Sequence, residues 1–340
     1  MFDNSHCAEC ENLDCLMRCH YIDFSGKDEA RQEMSKMING EKSRVLSDCI
    51  TCFACDEYCP YESHPFDLII DLQEKFNSLN LNPDIVESTI NRYQPHAELR
   101  LKDINPNKPV LNKCAFPKTN ARNMQGQLFE NLQYVSGLSY FCNLAYHHYG
   151  KDSITRERAP IIINNIKAQG IKEMICFHDE CYGFYTSYCP RNNIELPEDF
   201  KPIHLFEYLY HYLKEHESEI TKLNLKIAYQ RPCSNRFSPG IDEWVDKVCE
   251  LIGVERVDRE YDRENALCCA GTIVSLGKKK LAREVQKKNV DDIIKHGAEI
   301  CVYNCPACMD SMGSRVVRSG LKNYFLSDLC RMALGEKLDY

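Results

Sequence analysis

Residues 49–60, which read CITCFACDEYCP, carry the pattern that decides the fold of this 340-residue chain. The cysteines follow the spacing C-x2-C-x2-C-x3-C, and a proline comes directly after the last one. Three thiolates separated by two residues each can contact three corners of an iron–sulphur cubane, while the fourth cysteine points away. Zinc, the alternative metal, prefers four tetrahedral thiolates from two separated pairs and fits this tight triplet poorly. We therefore expect a 4Fe–4S cluster wrapped by short helices.

A second set of four cysteines precedes this stretch, with x2, x4 and x3 spacing and with His20 where the proline would stand. The two sets together resemble the two-cluster module of bacterial ferredoxins, in which each set donates its fourth cysteine to the other cluster. The resemblance implies one cubane on Cys7, Cys10, Cys15 and Cys59, and another on Cys49, Cys52, Cys55 and Cys19.

The 21 cysteines and the formal net charge of -8 narrow the class of protein. A chain of this length can bury a core without covalent staples, and its first ten residues lack the basic start and apolar run of a secretory signal. We therefore expect reduced thiols in the cytoplasm rather than a secreted disulphide framework. The acidic charge argues against nucleic-acid binding. No apolar run approaches the roughly 20 residues that a membrane span needs.

Composition divides the chain into three zones. Residues 1–82 are predicted to form a bis-4Fe–4S ferredoxin-type domain, with apolar residues at helical spacing in 66–76. Residues 83–108 are mostly polar and predict a linker; the prolines that punctuate this zone and its end are Pro83, Pro95, Pro106 and Pro109. In residues 109–340, short β-rich runs such as 226–229 and 300–303 alternate with helical stretches, which predicts α/β units.

The third zone contains an internal duplication at an offset of 127 residues, the distance from Cys142 to Cys269. At this offset Gly150 falls on Gly277, Gly170 on Gly297 and Cys181 on Cys308, and the apolar run 174–177 falls near 300–303. Cys114 pairs with Cys233 at a shorter offset. We expect two copies of one fold unit, at about 109–215 and about 222–340.

The second copy holds five cysteines in the pattern C-x34-C-C-x35-C-x2-C, namely Cys233, Cys268, Cys269, Cys305 and Cys308. This pattern resembles the CCG cysteine-rich domain that occurs twice in one subunit of heterodisulfide reductases, although Ala270 stands where the name of the motif expects glycine and Gly271 follows. Five thiolates exceed the four corners of a cubane, and the resemblance implies a non-cubane iron–sulphur cluster. Cys268 and Cys269 would then carry the chemistry as cluster ligands. The alternative is a C-x2-C zinc site beside a buried cysteine pair.

The first copy departs from this pattern at two positions. Phe141 stands where the first cysteine of the adjacent pair belongs, and His178 stands where the C-x2-C element would begin. A site of three cysteines and one histidine, for a plain 4Fe–4S cluster or for zinc, is one expectation. A metal-free pocket filled by Phe141 is the other. The candidate ligands are Cys114, Cys142, His178 and Cys181.

The fold that we predict is an α-helical two-cluster ferredoxin module followed by a duplicated α/β CCG-type domain. This order resembles the heterodisulfide reductases in which the ferredoxin-type and the CCG-type subunits are fused into one chain. It implies an anaerobic electron-transfer subunit that passes electrons from two cubanes to a special cluster, where a disulphide is reduced. No phosphate loop or dinucleotide fingerprint is present, so flavin- or metal-containing partner subunits are expected in a hetero-oligomeric complex.

Two other functions remain open from the sequence. One is a non-catalytic relay that reductively activates a low-potential metalloenzyme of methanogens, such as methyl-coenzyme M reductase, and the incomplete first motif favours it. The other is the iron–sulphur subunit of a glycolate or glycerol-3-phosphate dehydrogenase complex, whose domains the chain also resembles.

Overall fold

Short helices build the first part of the chain. The structure, a computed structural model, describes residues 2–97, 104–116, 118 and 121–338. Apolar side chains such as Leu16, Met34 and Ile69 pack into one core between these helices. The helices are α1 (Asp14–Met17), α2 (Lys27–Ile38), α3 (Arg44–Asp48), α4 (Ala54–Tyr58) and α5 (Pro65–Phe76). The cysteine loops therefore begin and end on a packed helical frame.

The zone that we predicted as a linker contains a helix, α6 (Pro83–Arg92). The Asn82 side chain accepts a hydrogen bond from the Asp84 amide and caps the helix, and Pro83 occupies its first turn. At the other end, Arg158 donates to the carbonyls of Ile90 and Tyr93 at 2.8 and 2.9 Å. The first part of the zone is therefore ordered against the following domain, while its residues 98–103 lie outside the described residues.

The first sheet consists of four parallel strands in the order β2-β1-β3-β4. Val110 pairs with Gln133 on one side and with Met174 on the other, and Glu173 pairs with Lys201. The strands are β1 (Val110–Asn112), β2 (Gln133–Val135), β3 (Glu173–Cys176) and β4 (Lys201–His204).

The second sheet repeats this arrangement with four parallel strands in the order β6-β5-β7-β8. Ile227 pairs with Ile300, and Ile300 pairs in turn with Lys322. The strands are β5 (Leu225–Gln230), β6 (Val254–Arg256), β7 (Ile300–Tyr303) and β8 (Lys322–Phe325). The α/β prediction for this zone is therefore confirmed, with β5 and β7 at the predicted runs.

Helices cover both sheets, as parallel strands require. They are α7 (Asp152–Gln169), α8 (Asp179–Gly183), α9 (Cys189–Arg191), α10 (Leu205–Glu215), α11 (Ile241–Ile252), α12 (Gly271–Ser275), α13 (Lys279–Lys295), α14 (Pro306–Arg318) and α15 (Leu326–Ala333). One apolar core contains residues of both sheets, including Ile175 and Ile300, so the sheets share their packing. Within the described part of the chain, no helix combines the length and apolar character needed to cross a membrane.

Four of the candidate ligands of the third zone lie just beyond the carboxyl ends of the central strands. β1 ends two residues before Cys114, and β5 ends three residues before Cys233. β3 and β7 lead likewise to His178 and Cys305. Because carboxyl ends of parallel strands meet at one edge of a sheet, these side chains gather at a single edge of each sheet.

Candidate metal centres

A cavity of about 480 Å³ lies between the carboxyl edges of the two sheets. Thiols from both halves of the third zone line it: Cys114, Cys142 and Cys181 from the first half, and Cys233, Cys269, Cys305 and Cys308 from the second. The incomplete and the complete cysteine motifs therefore face one common space rather than two separate pockets.

Four thiols of the second half form a chain of sulphur hydrogen bonds, in the order Cys268, Cys269, Cys308 and Cys305. The Cys308 contact and the neighbouring His178 lower the pKa of Cys305 to about 5. The Cys268 contact likewise holds the pKa of Cys269 well below its usual range. The hydrogen bonds to Cys269 raise the pKa of Cys268 and of Cys308 well above their usual range. The four thiols therefore share their protons, and two of them favour the thiolate, the form of cysteine that binds metal.

The turn after the adjacent cysteine pair is made with alanine in place of glycine. Ala270 has φ +72°, in the left-handed region that favours glycine. Its amide donates to the Cys268 sulphur at 3.3 Å. Asn143, which follows Cys142 in the first half, has φ +64°. Alanine in place of glycine therefore keeps the left-handed backbone conformation of this turn and the hydrogen bond from its amide to the Cys268 sulphur.

In the first half, three of the four candidate ligands come together. Cys142 lies near both Cys114 and Cys181. The Asn112 amide donates to the Cys181 sulphur at 3.3 Å. The Cys176 thiol, which belongs to neither cysteine motif, hydrogen-bonds Cys181. Cys176 lies at the end of β3, and no spacing in the sequence marks it.

His178, the fourth candidate, lies against the other group of thiols. Its ring hydrogen-bonds Cys305 of the second half, and its Nδ1 pairs with the Glu180 carboxylate. Burial opposes protonation, but the charge of Cys305 outweighs it and raises the pKa of His178 above its usual value. His178 therefore contacts a thiol of the second half, while all four candidate ligands line the same cavity.

Phe141 occupies the place of the missing thiol. It is 6% exposed, and its ring centroid lies 5.9 Å from that of Phe116, 6.3 Å from that of Tyr146 and 6.4 Å from that of Tyr93. Aromatic packing of this kind fills the volume that a fourth ligand would need.

The N-terminal cysteines surround two small cavities. One is lined by Cys7, Cys10, Cys15 and Cys59. The other is lined by Cys19, Cys49, Cys52 and Cys55, with Cys15 at its border. Each sequence set therefore lends its fourth cysteine to the cavity of the other.

Backbone amides point at the sulphurs of these two sites. The Ser63 amide donates to Cys59 at 3.4 Å, and the Thr51 amide donates to Cys49 at 3.3 Å. Burial raises the pKa of Cys49 to about 12. Amide donors around a buried group of thiols suit iron–sulphur clusters, whose sulphurs accept such hydrogen bonds.

Among the residues that the structure describes, no group of three or more His, Cys, Asp or Glu side chains is arranged to hold a single metal ion.

The second N-terminal site and the second half meet directly. Thr51 Oγ1 lies 2.9 Å from His148 Nδ1, and His148 Nε2 lies 3.8 Å from Cys233 Sγ. On the other side, the Cys268 amide donates to the Tyr21 hydroxyl at 2.8 Å. His148 lies six residues after Cys142, as Ser275 does after Cys269, and both line the large cavity. Because a serine stands at the matching position of the second half, no cysteine spacing singles out His148 in the sequence.

The buried Arg236 completes this junction. Its guanidinium donates to the carbonyls of Ala266 and Glu264 at 2.8 and 3.2 Å. Burial raises the pKa of Cys52 and of Cys233, and the charge of Arg236 opposes both shifts. A fixed cation thus lies between a thiol of the N-terminal site and a thiol of the second half.

Comparisons with known proteins identify a cysteine-rich domain in the second half of the third zone. Residues 227–313 match the family of cysteine-rich domains called CCG, and such domains indicate an iron–sulphur electron-transfer role. The fold is similar to that of a hypothetical protein from Helicobacter pylori, with a TM-score of 0.58, 12% identity and 92% of this chain covered. The chain spans 65% of the length of that protein.

A second solved structure, glutamate racemase isoform RacE1 from Bacillus anthracis, aligns with 68% of this chain and 81% of its own. Its identity of 11% and TM-score of 0.37 are too low to carry an argument. No curated protein matches this sequence.

Proposed function

We propose that this chain is an electron-transfer protein with two cubane clusters in its N-terminal part and a third iron–sulphur centre at the large cavity. The third centre is held by the second-half thiols Cys233, Cys268, Cys269, Cys305 and Cys308. Electrons enter through the N-terminal clusters and reach a thiol-linked substrate in the cavity. The reaction is the reduction of a disulphide, as in heterodisulfide reductases.

The observation that carries this proposal is the contact between the two cysteine systems. Thr51, which stands between Cys49 and Cys52, touches His148, and His148 touches Cys233. Tyr21 reaches Cys268 from the same side. Electron transfer needs redox centres that lie close together. Here the loop that holds one N-terminal cluster contacts, through His148, a cysteine of the third centre. A purely structural set of cysteines would need no such junction.

The chemistry at the cavity would consume two electrons and two protons for each disulphide, because cleavage of the S–S bond yields two thiols. Cubanes transfer one electron at a time, so two of them supply the pair. The third centre, when bound, provides iron to which a substrate sulphur can attach. The chain itself supplies an apolar wall through Phe116 and Phe141 and keeps the thiols of the centre in place.

Charge at the cavity favours a neutral or cationic substrate. Glu180 and Asp310 line it, and the described lining residues include no lysine or arginine. Glu180 is paired with His178, so a strongly anionic disulphide would be repelled chiefly by the Asp310 carboxylate. We therefore expect an uncharged aromatic or aliphatic disulphide to be reduced faster than a dicarboxylated one of the same size.

A relay without catalysis is the second candidate. The feature that favours it is Phe141, which fills the place of a ligand in the first half and leaves one complete motif at the cavity. In this case the third centre would pass electrons to a metal centre of a partner protein.

Iron analysis and turnover test the proposal. Anaerobically reconstituted full-length chain should hold about eight iron atoms in two cubanes and about four more in the third centre. We expect Cys233→Ala to lose the additional iron and to lower disulphide reduction more than 100-fold, while the cubane signals in electron paramagnetic resonance (EPR) spectra persist. Cys249→Ala is the matched control, because Cys249 is buried in α11 away from the cavity.

Different results separate the candidates. Third-centre iron without any disulphide turnover would favour the relay. Zinc in place of iron, or full turnover by Cys233→Ala, would contradict the proposal.

A further inference from the structure

The tautomer of His148 follows from its hydrogen bonds. The Thr51 hydroxyl donates its single hydrogen to the Ile50 carbonyl at 2.7 Å. Towards His148 Nδ1, 2.9 Å away, the same oxygen can therefore only accept. The proton of the neutral ring lies on Nδ1, and Nε2 carries an unshared electron pair.

That electron pair faces the thiols of the second half. Nε2 lies 3.8 Å from Cys233 Sγ, and the ring lines the cavity together with Cys269 and Cys308. Without metal, the Cys233 thiol can donate its hydrogen to Nε2. Once Cys233 becomes a metal-bound thiolate, that hydrogen is gone, and Nε2 needs a new partner at the same place.

The surroundings hold the ring in one orientation. Phe53 packs against it with ring centroids 5.1 Å apart. Neutral imidazole is the form that binds metals, and a second hydrogen bond at the remote nitrogen is the usual support of a metal-bound histidine.

We propose that His148 is a nitrogen ligand of the third centre, donated by the first half to the cysteines of the second and oriented by Thr51 of the N-terminal part. The observation behind it is an unprotonated ring nitrogen aimed at Cys233 from a fixed hydrogen bond. The inference rests on the proposed function, because it requires a metal centre at these cysteines. It adds a ligand that no cysteine spacing contains.

Nitrogen in the ligand set changes the properties of the centre. A neutral imidazole adds a ligand without adding negative charge, so the reduction potential is higher than a further thiolate would give, as the histidine ligands of Rieske centres illustrate. The third centre would then accept electrons readily from thiolate-ligated cubanes. The same ring would connect the N-terminal loop to the centre through Thr51.

Pulsed EPR of the full-length protein tests this inference. The chain is labelled with 15N-histidine, loaded with iron and poised so that the third centre is paramagnetic. The proposed cubane ligands are all thiolates, so a strong nitrogen coupling reports on the third centre. We expect such a coupling in the wild type, its loss in His148→Gln, and its retention in His178→Gln. Coupling that persists in His148→Gln, or disappears only in His178→Gln, overturns the proposal.

Thr51 provides the matched pair of variants for the positioning role. Thr51→Ser keeps the hydroxyl and should keep the coupling, whereas Thr51→Val removes the acceptor and should weaken it. An equal coupling in both variants would contradict the role of Thr51. In every variant, retention of about eight cubane iron atoms shows that the N-terminal part has folded correctly.

The two proposals fail in different ways. Absence of third-centre iron from the wild type would refute the proposed function and this inference together. Third-centre iron with only the weak nitrogen coupling of a hydrogen bond to sulphur would refute the ligand alone.

Discussion

Arg231 is 1% exposed, and its two terminal nitrogens donate to the Glu57 carboxylate at 2.7 and 2.8 Å. Glu57 lies in α4, between Cys55 and Cys59. The Arg231 Nε also donates to Asn235 at 2.8 Å and lies 2.8 Å from an Asp242 oxygen. A single buried guanidinium therefore joins the cysteine-bearing helix to the second sheet.

Arg231→Leu should strongly destabilise the protein, because Glu57 loses its bidentate partner and keeps only Arg236 at 3.3 Å, while Asp242 keeps only Arg256. We expect a loss of about 3–5 kcal/mol in the free energy of unfolding, measured by urea denaturation under anaerobic conditions. Glu264→Gln is the control at the same junction, since its side chain makes an exposed ion pair with Arg18 at 3.5 Å. Its cost should stay below about 1 kcal/mol. Similar losses in both variants would show that burial of the Arg231 charge does not matter.

Ala270 keeps the backbone conformation of the motif, although alanine replaces the glycine for which the motif is named. A left-handed conformation costs a non-glycine residue roughly 1–2 kcal/mol. Ala270 is fully buried and belongs to the core that also contains Cys268 and Cys269. Packing of its methyl group offsets part of the strain, so alanine is tolerated where the motif has glycine.

Among the elements, α6 lies inside the zone that the sequence predicts as a linker. Pro83 punctuates a polar stretch, but proline is also favoured in the first turn of a helix because it lacks a hydrogen-bond donor that would be unused there. Val86 is the one buried side chain that α6 contributes. Its docking depends instead on Arg158, which belongs to α7 and is far away in sequence.

The first turn of α7 contains a buried carboxylate with three partners. Asp152 accepts hydrogen bonds from the Tyr188 hydroxyl at 2.8 Å, from Arg156, and from His147 at 3.0 Å. Burial alone would raise the pKa of Asp152, but these hydrogen bonds lower it well below its usual value. The charged form is therefore favoured in the folded state.

Asp152→Asn should lower the free energy of unfolding by about 1–3 kcal/mol at pH 7. Because the folded pKa of Asp152 lies below the unfolded one, its contribution is complete above the unfolded pKa of about 3.9 and is lost as the pH falls through the folded pKa. Denaturation at pH 7 and pH 5 should give the same difference from the wild type, and pH 3.5 a smaller one. Asp199→Asn is the control, because Asp199 makes an exposed pair with Lys172. A difference that grows on acidification would contradict the assignment.

At the scale of the whole molecule, the N-terminal part and the two sheets differ in the interactions that keep them folded. The described residues before α6 contain no strand, and α1, α3 and α4 have four or five residues each. These short helices surround the cysteine loops, whereas the strands lie in larger apolar cores. Residues 2–59 should therefore depend on bound clusters more than the sheets do.

Removal of iron by an anaerobic chelator should loosen the N-terminal part selectively. We expect amide hydrogen exchange in residues 14–58 to speed up at least tenfold, while the amides of β5 and β7 stay protected. The β-strand amides of the same sample are the internal control. Equal acceleration throughout the chain would show that the clusters stabilise the molecule as one cooperative unit.

The sequence by itself determined the features of this protein that depend only on residues close together in the chain. Short cysteine spacings are local, and the alternation of β-rich and helical stretches reflects strand and helix periods, so both could be predicted without coordinates. The α/β character of residues 109–340 follows from this pattern, and strands lie at 225–230 and 300–303.

Only the tertiary structure decided which groups from distant segments face each other. His178 lies against Cys305 rather than with Cys114, Cys176 joins Cys181, and His148 reaches Cys233. These contacts depend on how the carboxyl edges of two sheets meet across a cavity, and no local spacing encodes that packing. The sequence therefore contains the cysteine motifs of the proposed metal sites, whereas the arrangement of their ligands in space follows from the tertiary fold.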